Sequence, residues 1–169
     1  MIKDFISGIQ INETPEEIEA VQPYLKILVE DYNYPKNLIK SKPQHRVKVS
    51  PSDTKKEYPI DIAIFSDNKM RDEDLQIIVE CKRKNKKDGV NQLKDYLRLS
   101  SAFIGVWFNG EEKLYLRKYE GSKGQINFEE IPNIPVYGQR LEDIGKFKRK
   151  DLKETHNLKS VFKAIRFHL

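Results

Sequence analysis

Cysteine is nearly absent: Cys81 is the only one in 169 residues. A disulfide scaffold is therefore excluded, and so are the paired-cysteine zinc and redox motifs. Long apolar runs are missing as well. The longest, Ala102 to Phe108, is about a third of the roughly 20 residues that a membrane-spanning helix needs. The opening MIKDFISGIQINETPEE has no extended apolar segment and turns acidic, so no secretory signal is predicted. The expected setting is soluble, reducing and cytoplasmic. Apolar residues are scarce at 38% against 34% charged, but the 10% aromatics, mostly Tyr and Phe, are enough to fill a core. The length fits one domain with a tail.

Charge is present in quantity and is unevenly placed. Residues 1–31 hold two Lys and seven Asp/Glu, a net of −5, leaving the rest of the chain at +10 out of the overall +5. A basic body fits a polyanionic partner such as nucleic acid. A solvated lysine-rich surface explains the same numbers equally well.

Periodicity supplies the elements. Thr14-Pro15-Glu16-Glu17 reads as a helix start, with Thr14 as cap, Pro15 at the first helical position and Glu17 where a capping box wants it. Ile18, Val21, Leu25, Leu28 and Tyr32 continue at helical spacing over roughly 17 residues. Pro23 should kink or restart that helix. Strands are predicted at His45–Ser50, Pro59–Phe65 and Leu75–Lys82. A basic loop from Arg83 to Asp88 leads to a helix over Gly89–Ser100. Two further strands, Ala102–Phe108 and Lys113–Tyr119, are joined at Asn109-Gly110, a hairpin turn that Glu111 and Glu112 can lengthen. Residues 120–157 read as irregular and basic. Residues 158–169 read as a last amphipathic helix without a cap, which suggests the front piece of something longer.

The chemistry sits on two of the strands. Alternation places Gln76, Ile78, Glu80 and Lys82 on one face of the third strand, with Ile77, Val79 and Cys81 on the other. Asp61 is a lone charge between Ile60 and Ile62. An unpaired buried charge costs several kcal/mol, so a strand that carries one compensates with an ion pair or a metal. If the two strands are neighbours, Asp61, Glu80 and Lys82 converge, and the two carboxylates make a hard-oxygen site for Mg²⁺ beside an amine. Alternatives stand next to each of these. Asp61 can be an edge carboxylate paired with a lysine, Glu80 and Lys82 a surface pair, and Glu17 the glutamate of a capping box. Gln92 and Tyr96 can be ordinary helix-surface residues. Cys81 and Trp107 read as core. His45, His156 and His168 show no metal spacing.

Asp61-x18-Glu80-x-Lys82, followed by Gln92-Leu-Lys-Asp-Tyr96 on the next helix, resembles the PD-(D/E)XK nuclease signature with its QxxxY extension. Together with the leading Pro-Glu-Glu helix, Asn33-Tyr34-Pro35 and Tyr-Pro-Ile-Asp61, the pattern looks like the N-terminal nuclease domain of type I restriction enzyme R proteins, over about residues 14–119.

That resemblance implies an α/β fold with a restriction-endonuclease-like core, a mixed central sheet flanked by helices in the order αβββαβ. It divides the chain into a lead-in (1–13), a nuclease-like domain (14–137) and a basic linker with the start of a helix toward a further domain (138–169). It implies a DNA endonuclease that uses Mg²⁺ or Mn²⁺ and leaves 5′-phosphate and 3′-hydroxyl ends. Asp61 and Glu80 would hold the metal. Asp61, Glu80, Lys82 and Gln92 would form the catalytic set, with Glu17 and Tyr96 in support. Lys84, Lys86 and Lys87 would contact phosphate. The implied partners are DNA and motor (helicase) or methyltransferase domains or subunits. Two other readings stay open: a non-catalytic nucleic-acid-binding module on the same fold, and a basic adaptor docking through the terminal helix.

Overall fold

The computed structural model describes residues 1–48, 50–55 and 57–143. The basic run Lys146–Lys150 and the helix expected over 158–169 lie outside the described residues.

A short hairpin opens the chain, β1 (Ile2–Lys3) against β2 (Gln10–Ile11), in a stretch expected to be a bare lead-in. The first helix follows. Thr14 Oγ1 accepts the Glu17 N–H at 3.2 Å, the cap that the sequence predicts. A π-helical turn, Glu17–Val21, then runs into α1, Gln22–Glu30. Pro23 explains the wide turn. It offers no N–H to the carbonyl of Glu19 and its ring crowds that carbonyl, so the helix loosens and restarts with proline in its first turn. The extra residue re-phases the apolar stripe. Ala20, Val21, Tyr24, Leu25 and Leu28 are buried, whereas Ile18, expected on the same face, is 48% exposed.

The remaining elements are a 3₁₀ turn (Lys36–Leu38), β3 (Ile39–Lys40), β4 (Arg46–Val47), β5 (Tyr58–Pro59), β6 (Ile62–Phe65), β7 (Leu75–Cys81), α2 (Val90–Arg98), β8 (Ile104–Phe108), β9 (Lys113–Glu120) and β10 (Ile126–Glu130). The strand expected over Pro59–Phe65 is broken at Ile60 and Asp61. Residues 120–157 were expected to be irregular, yet they contribute β10, an exposed edge strand whose polar outer positions mask its alternation.

The central sheet has the order β10-β9-β8-β7-β6-β3. It is antiparallel except at its heart, where β7 and β8 run parallel with α2 as the crossover. The architecture is thus mixed α/β, as expected. The helix over Glu17–Glu30 covers one face, packing Tyr24, Leu25 and Leu28 on Ile62, Ile64, Val79 and Val106. Helix α2 covers the other, packing Leu93, Tyr96 and Leu97 on Ala63, Phe65, Ile78 and Trp107. Gly105 on β8 is where α2 comes closest: a Cβ there would lie 2.6 Å from Leu97 Cδ1. Lys118 of β9 donates to the carbonyls of Leu97 and Ser100 at 2.6 and 2.7 Å, closing the carbonyl end of α2 with a cation. The segment after β10 returns over α1, where Tyr34 Oη donates to the Pro135 carbonyl and Ile134 is fully buried. Among the described residues, no helix is long and apolar enough to cross a membrane.

Candidate active site

The antiparallel pairing of β6 with β7 sets Ile62 opposite Val79 and Ala63 opposite Ile78. One further step in this register brings Asp61 opposite Glu80. Both strands bury apolar side chains on both faces, so this end of the pair carries two carboxylates where the rest carries aliphatic groups. The break before β6 has a local cause. Asp61 Oδ2 accepts the backbone N–H of Cys81 at 2.8 Å, a side-chain oxygen standing in for a ladder carbonyl, and Gln44 Nε2 donates to Oδ1 at 3.2 Å.

Glu80 is buried at 3% exposure. Lys82 places its Nζ 2.9 Å from Glu80 Oε1 and keeps 19% of its side-chain surface open. Its backbone N–H donates to the Phe108 carbonyl at 2.9 Å, so β8 fixes the Lys82 main chain. Asp61, Glu80 and Lys82 are therefore brought together. Cys81 is fully buried in the cluster under the first helix, on the opposite sheet face.

The electrostatics follow from burial. It pushes the Glu80 carboxyl up to about 7, with the nearby Asp61 charge adding to the rise and the Lys82 ammonium opposing it. Burial likewise lifts Asp61 to about 6, against the pull of the Cys81 N–H and with the charge of Glu16 adding to it. Burial draws Lys82 down, but its hydrogen bond and ion pair with Glu80 win, and its pKa is raised. Two buried acids that resist ionisation next to each other are a site that gains from a cation. Among the described residues, no three His, Cys, Asp or Glu side chains are arranged to hold a metal. Mg²⁺ does not require such a cage. It is commonly bound by one or two carboxylates and completes its shell with water and phosphate oxygens.

The first helix contributes differently from expectation. Glu17 turns to Lys42, 2.5 Å away, and accepts from Gln22 Nε2 at 3.1 Å. Glu16, half-buried and with its pKa raised by burial, is the helix carboxylate whose charge acts on Asp61, Glu80 and Lys82. Gln92 is exposed and its amide donates to Tyr96 Oη. Tyr96 is buried, and burial raises its pKa, with the charges of Glu80 and Asp61 adding to the effect.

Gly89 is a site residue that periodicity did not single out. It caps α2 with φ at +101°, and a Cβ there would lie 2.6 Å from Lys82 Cε and 3.5 Å from Glu80 Cγ. Only glycine combines that backbone angle with that closeness. The loop before it is anchored at three points. Lys84 N–H donates to Glu19 Oε2 at 2.8 Å, Asn109 Nδ2 to the Lys86 carbonyl at 3.1 Å, and the Trp107 indole to the Asp88 carbonyl at 2.8 Å. Lys84, Lys86 and Lys87 themselves are exposed, Lys87 with Glu112 at 3.6 Å. An open depression of about 550 Å³ lies between Pro15, Glu19 and Arg83–Lys86. A separate hollow of about 510 Å³, beside His45, Arg46, Asp72 and Arg98, opens at the Leu75 end of β7, away from Glu80.

A six-stranded mixed sheet with helices on both faces and an acid pair beside a lysine defines an α/β domain compatible with a restriction-endonuclease-like core. The family description that matches is the type I restriction enzyme R protein N terminus, over residues 15–135, and the chain belongs to that family. No curated protein and no solved structure matches the chain.

Proposed function

We propose that this chain is the divalent-metal-dependent DNA endonuclease domain of a type I-like restriction-modification enzyme, with a PD-(D/E)XK site. The observation that carries the reading is the register of β6 and β7, which opposes Asp61 to Glu80 while Lys82 lies 2.9 Å from the latter. Asp61 and Glu80 are the residues that would hold Mg²⁺ or Mn²⁺. Such an ion, when bound, supplies an acidified water and offsets charge on the scissile phosphate.

The chain's own groups do the rest. Glu80 holds the Lys82 amine in place. Lys82 orients the attacking water and stabilises the negative charge that grows on the phosphate oxygens. Gly89 leaves the room that Lys82 occupies. Tyr96, with Gln92 on its hydroxyl, closes the α2 side. Lys84, Lys86 and Lys87, on a loop whose backbone is tied down, meet neighbouring phosphates. The partners in this reading are DNA and the motor or methyltransferase modules of such an enzyme.

The test is incubation of the chain with supercoiled plasmid in Mg²⁺ or Mn²⁺. Nicking should stop on chelation and fall by on the order of 10²-fold or more in Asp61→Asn and Lys82→Ala. Plasmid binding without cleavage in any metal, together with Mn²⁺ binding that Asp61→Asn leaves unchanged, rejects the reading in favour of a non-catalytic nucleic-acid-binding module.

A further inference from the structure

We propose that Lys42 is a second phosphate-contacting amine of this site, set in place by a buried polar chain that begins at Asp4. The inference rests on the nucleic-acid reading above and adds a residue outside the Asp61–Glu80–Lys82 pattern.

The chain of contacts is continuous. Asp4, 1% exposed, accepts from Ser7 N–H and Oγ at 2.8 and 2.9 Å, from Gln22 Nε2 at 2.9 Å and from Ser41 Oγ at 2.7 Å. Ser41 is the residue before Lys42, so Asp4 anchors the segment that carries Lys42 through the Ser41 hydroxyl. Gln22 reaches Lys42 by a second route, because the same Nε2 also donates to Glu17 Oε2 at 3.1 Å and Glu17 Oε1 meets Lys42 Nζ. The Gln22 amide has one workable orientation. Its oxygen accepts the Phe5 N–H at 2.8 Å, and a flip would turn that oxygen toward two carboxylates. Asp4, Glu17, Gln22 and Ser41 are all buried.

The destination of the amine is what makes it functional. Lys42 keeps 19% of its side-chain surface open, and Gln44, two residues on, donates to Asp61 Oδ1 at 3.2 Å, which sets this segment beside the acid pair, where the Lys42 charge acts on Asp61 and Glu16. Glu16, Glu17, Asp61 and Glu80 bring four negative charges, and Lys42 and Lys82 bring two positive ones. Lys42 thus offsets part of the negative charge that this carboxylate cluster turns toward an incoming phosphodiester. The N-terminal hairpin that supplies Asp4 lies before the first residue of the family match, so its contribution is invisible to that match.

The test is the salt dependence of binding to a short labelled DNA duplex in Ca²⁺, with plasmid cleavage in Mg²⁺ run in parallel. Lys42→Ala should reduce the slope of log K against log salt by about one phosphate contact, and Lys42→Arg should restore it. Gln22→Leu and Asp4→Asn should lower the slope in part while Lys42 is still present, a readout that simple loss of stability does not move. An unchanged slope in Lys42→Ala, in a protein whose wild type binds and cleaves, overturns this inference and leaves the nuclease reading intact. A slope that falls as expected in a protein that cleaves in no metal does the reverse. A wild type that binds no duplex overturns both.

Discussion

Asp61 accepts the backbone N–H of Cys81 across the strand pair at 2.8 Å. Cys81 is the one residue between Glu80 and Lys82, so this bond ties the carboxylate of β6 to the stretch of β7 that carries the other two site groups. Asp61 is thereby both a structural acceptor and a candidate metal ligand, and the two roles can be separated.

Asp61→Asn keeps an oxygen for the Cys81 N–H and removes the charge. Asp61→Ala removes both, leaving a buried donor unpaired at a cost of about 1–3 kcal/mol. The expected order of melting temperatures is therefore Asn above Ala, while Mn²⁺ affinity by titration calorimetry falls in both. Equal melting of the two variants would mean that the bond does no structural work.

The acid pair should make metal-free stability fall with rising pH. Glu80 rises from its ordinary 4.5 to about 7 and Asp61 from 3.8 to about 6. The native state then binds protons more tightly than the unfolded chain, so the stability these two groups contribute is full below the unfolded values and is lost as pH climbs through the native ones. Asp4 acts in the opposite sense. Burial pushes it up, but its hydrogen bonds prevail and hold it below 3.8, so its contribution is lost only at more acid pH. Urea denaturation in EDTA at pH 5 and pH 8 should show a loss on the order of 2 kcal/mol between them. Glu80→Gln should flatten the difference, and Mg²⁺ should stabilise at pH 8 more than at pH 5. Equal stability of the wild type at both pH values would contradict the burial argument.

Gly89→Ala should cripple the site through Lys82. The substitution puts a methyl group within 2.6 Å of Lys82 Cε at a φ of +101°. Backbone strain should cost about 1–2 kcal/mol of stability. Displacing the amine should cost on the order of 10²-fold in cleavage. In a Lys82→Ala background the clash is gone, so the additional loss of cleavage should be small, and the double-mutant cycle should be strongly non-additive. Additive losses would show that Gly89 matters to the fold alone.

The parts of the site that the sequence revealed are those that obey a strand period. Alternation placed Glu80 and Lys82 on one face and Cys81 on the other, and the β6–β7 pairing then supplied Asp61. What stayed hidden depends on three-dimensional detail. The π turn over Glu17–Val21 breaks the 3.6-residue rhythm, so the rhythm buried Ile18 and singled out Glu17, whereas the charge that acts on the acid pair is that of Glu16. Lys42 and Gln44 sit in a polar stretch with no period at all. Gly89 shows itself in the sequence only as a helix start, because its significance is the distance to a side chain seven residues earlier. In β10, Ile126 and Phe128 do alternate with polar residues, but the strand lies at the sheet edge, where exposure weakens the pattern.

Trp107 offers a direct test of the proposed metal site. It is the only tryptophan in the chain, 4% exposed, and it pairs in register with Glu80 on the neighbouring parallel strand. Its indole N–H is held by the Asp88 carbonyl, next to the glycine that packs on Lys82. A paramagnetic ion bound between Asp61 and Glu80 would therefore sit a short distance from the fluorophore, whereas an ion at the Leu75 end of β7 would not, and the carboxylate variants separate the acid pair from the lysine loop. Mn²⁺ should quench the Trp107 emission saturably, excess Mg²⁺ should reverse the quenching, and Asp61→Asn and Glu80→Gln should weaken it at least about tenfold in midpoint. Lys82→Ala should leave the quenching in place while abolishing cleavage, since the amine is not a ligand. Quenching of the same midpoint in all three variants would put the ion elsewhere and remove the acid pair from the metal chemistry.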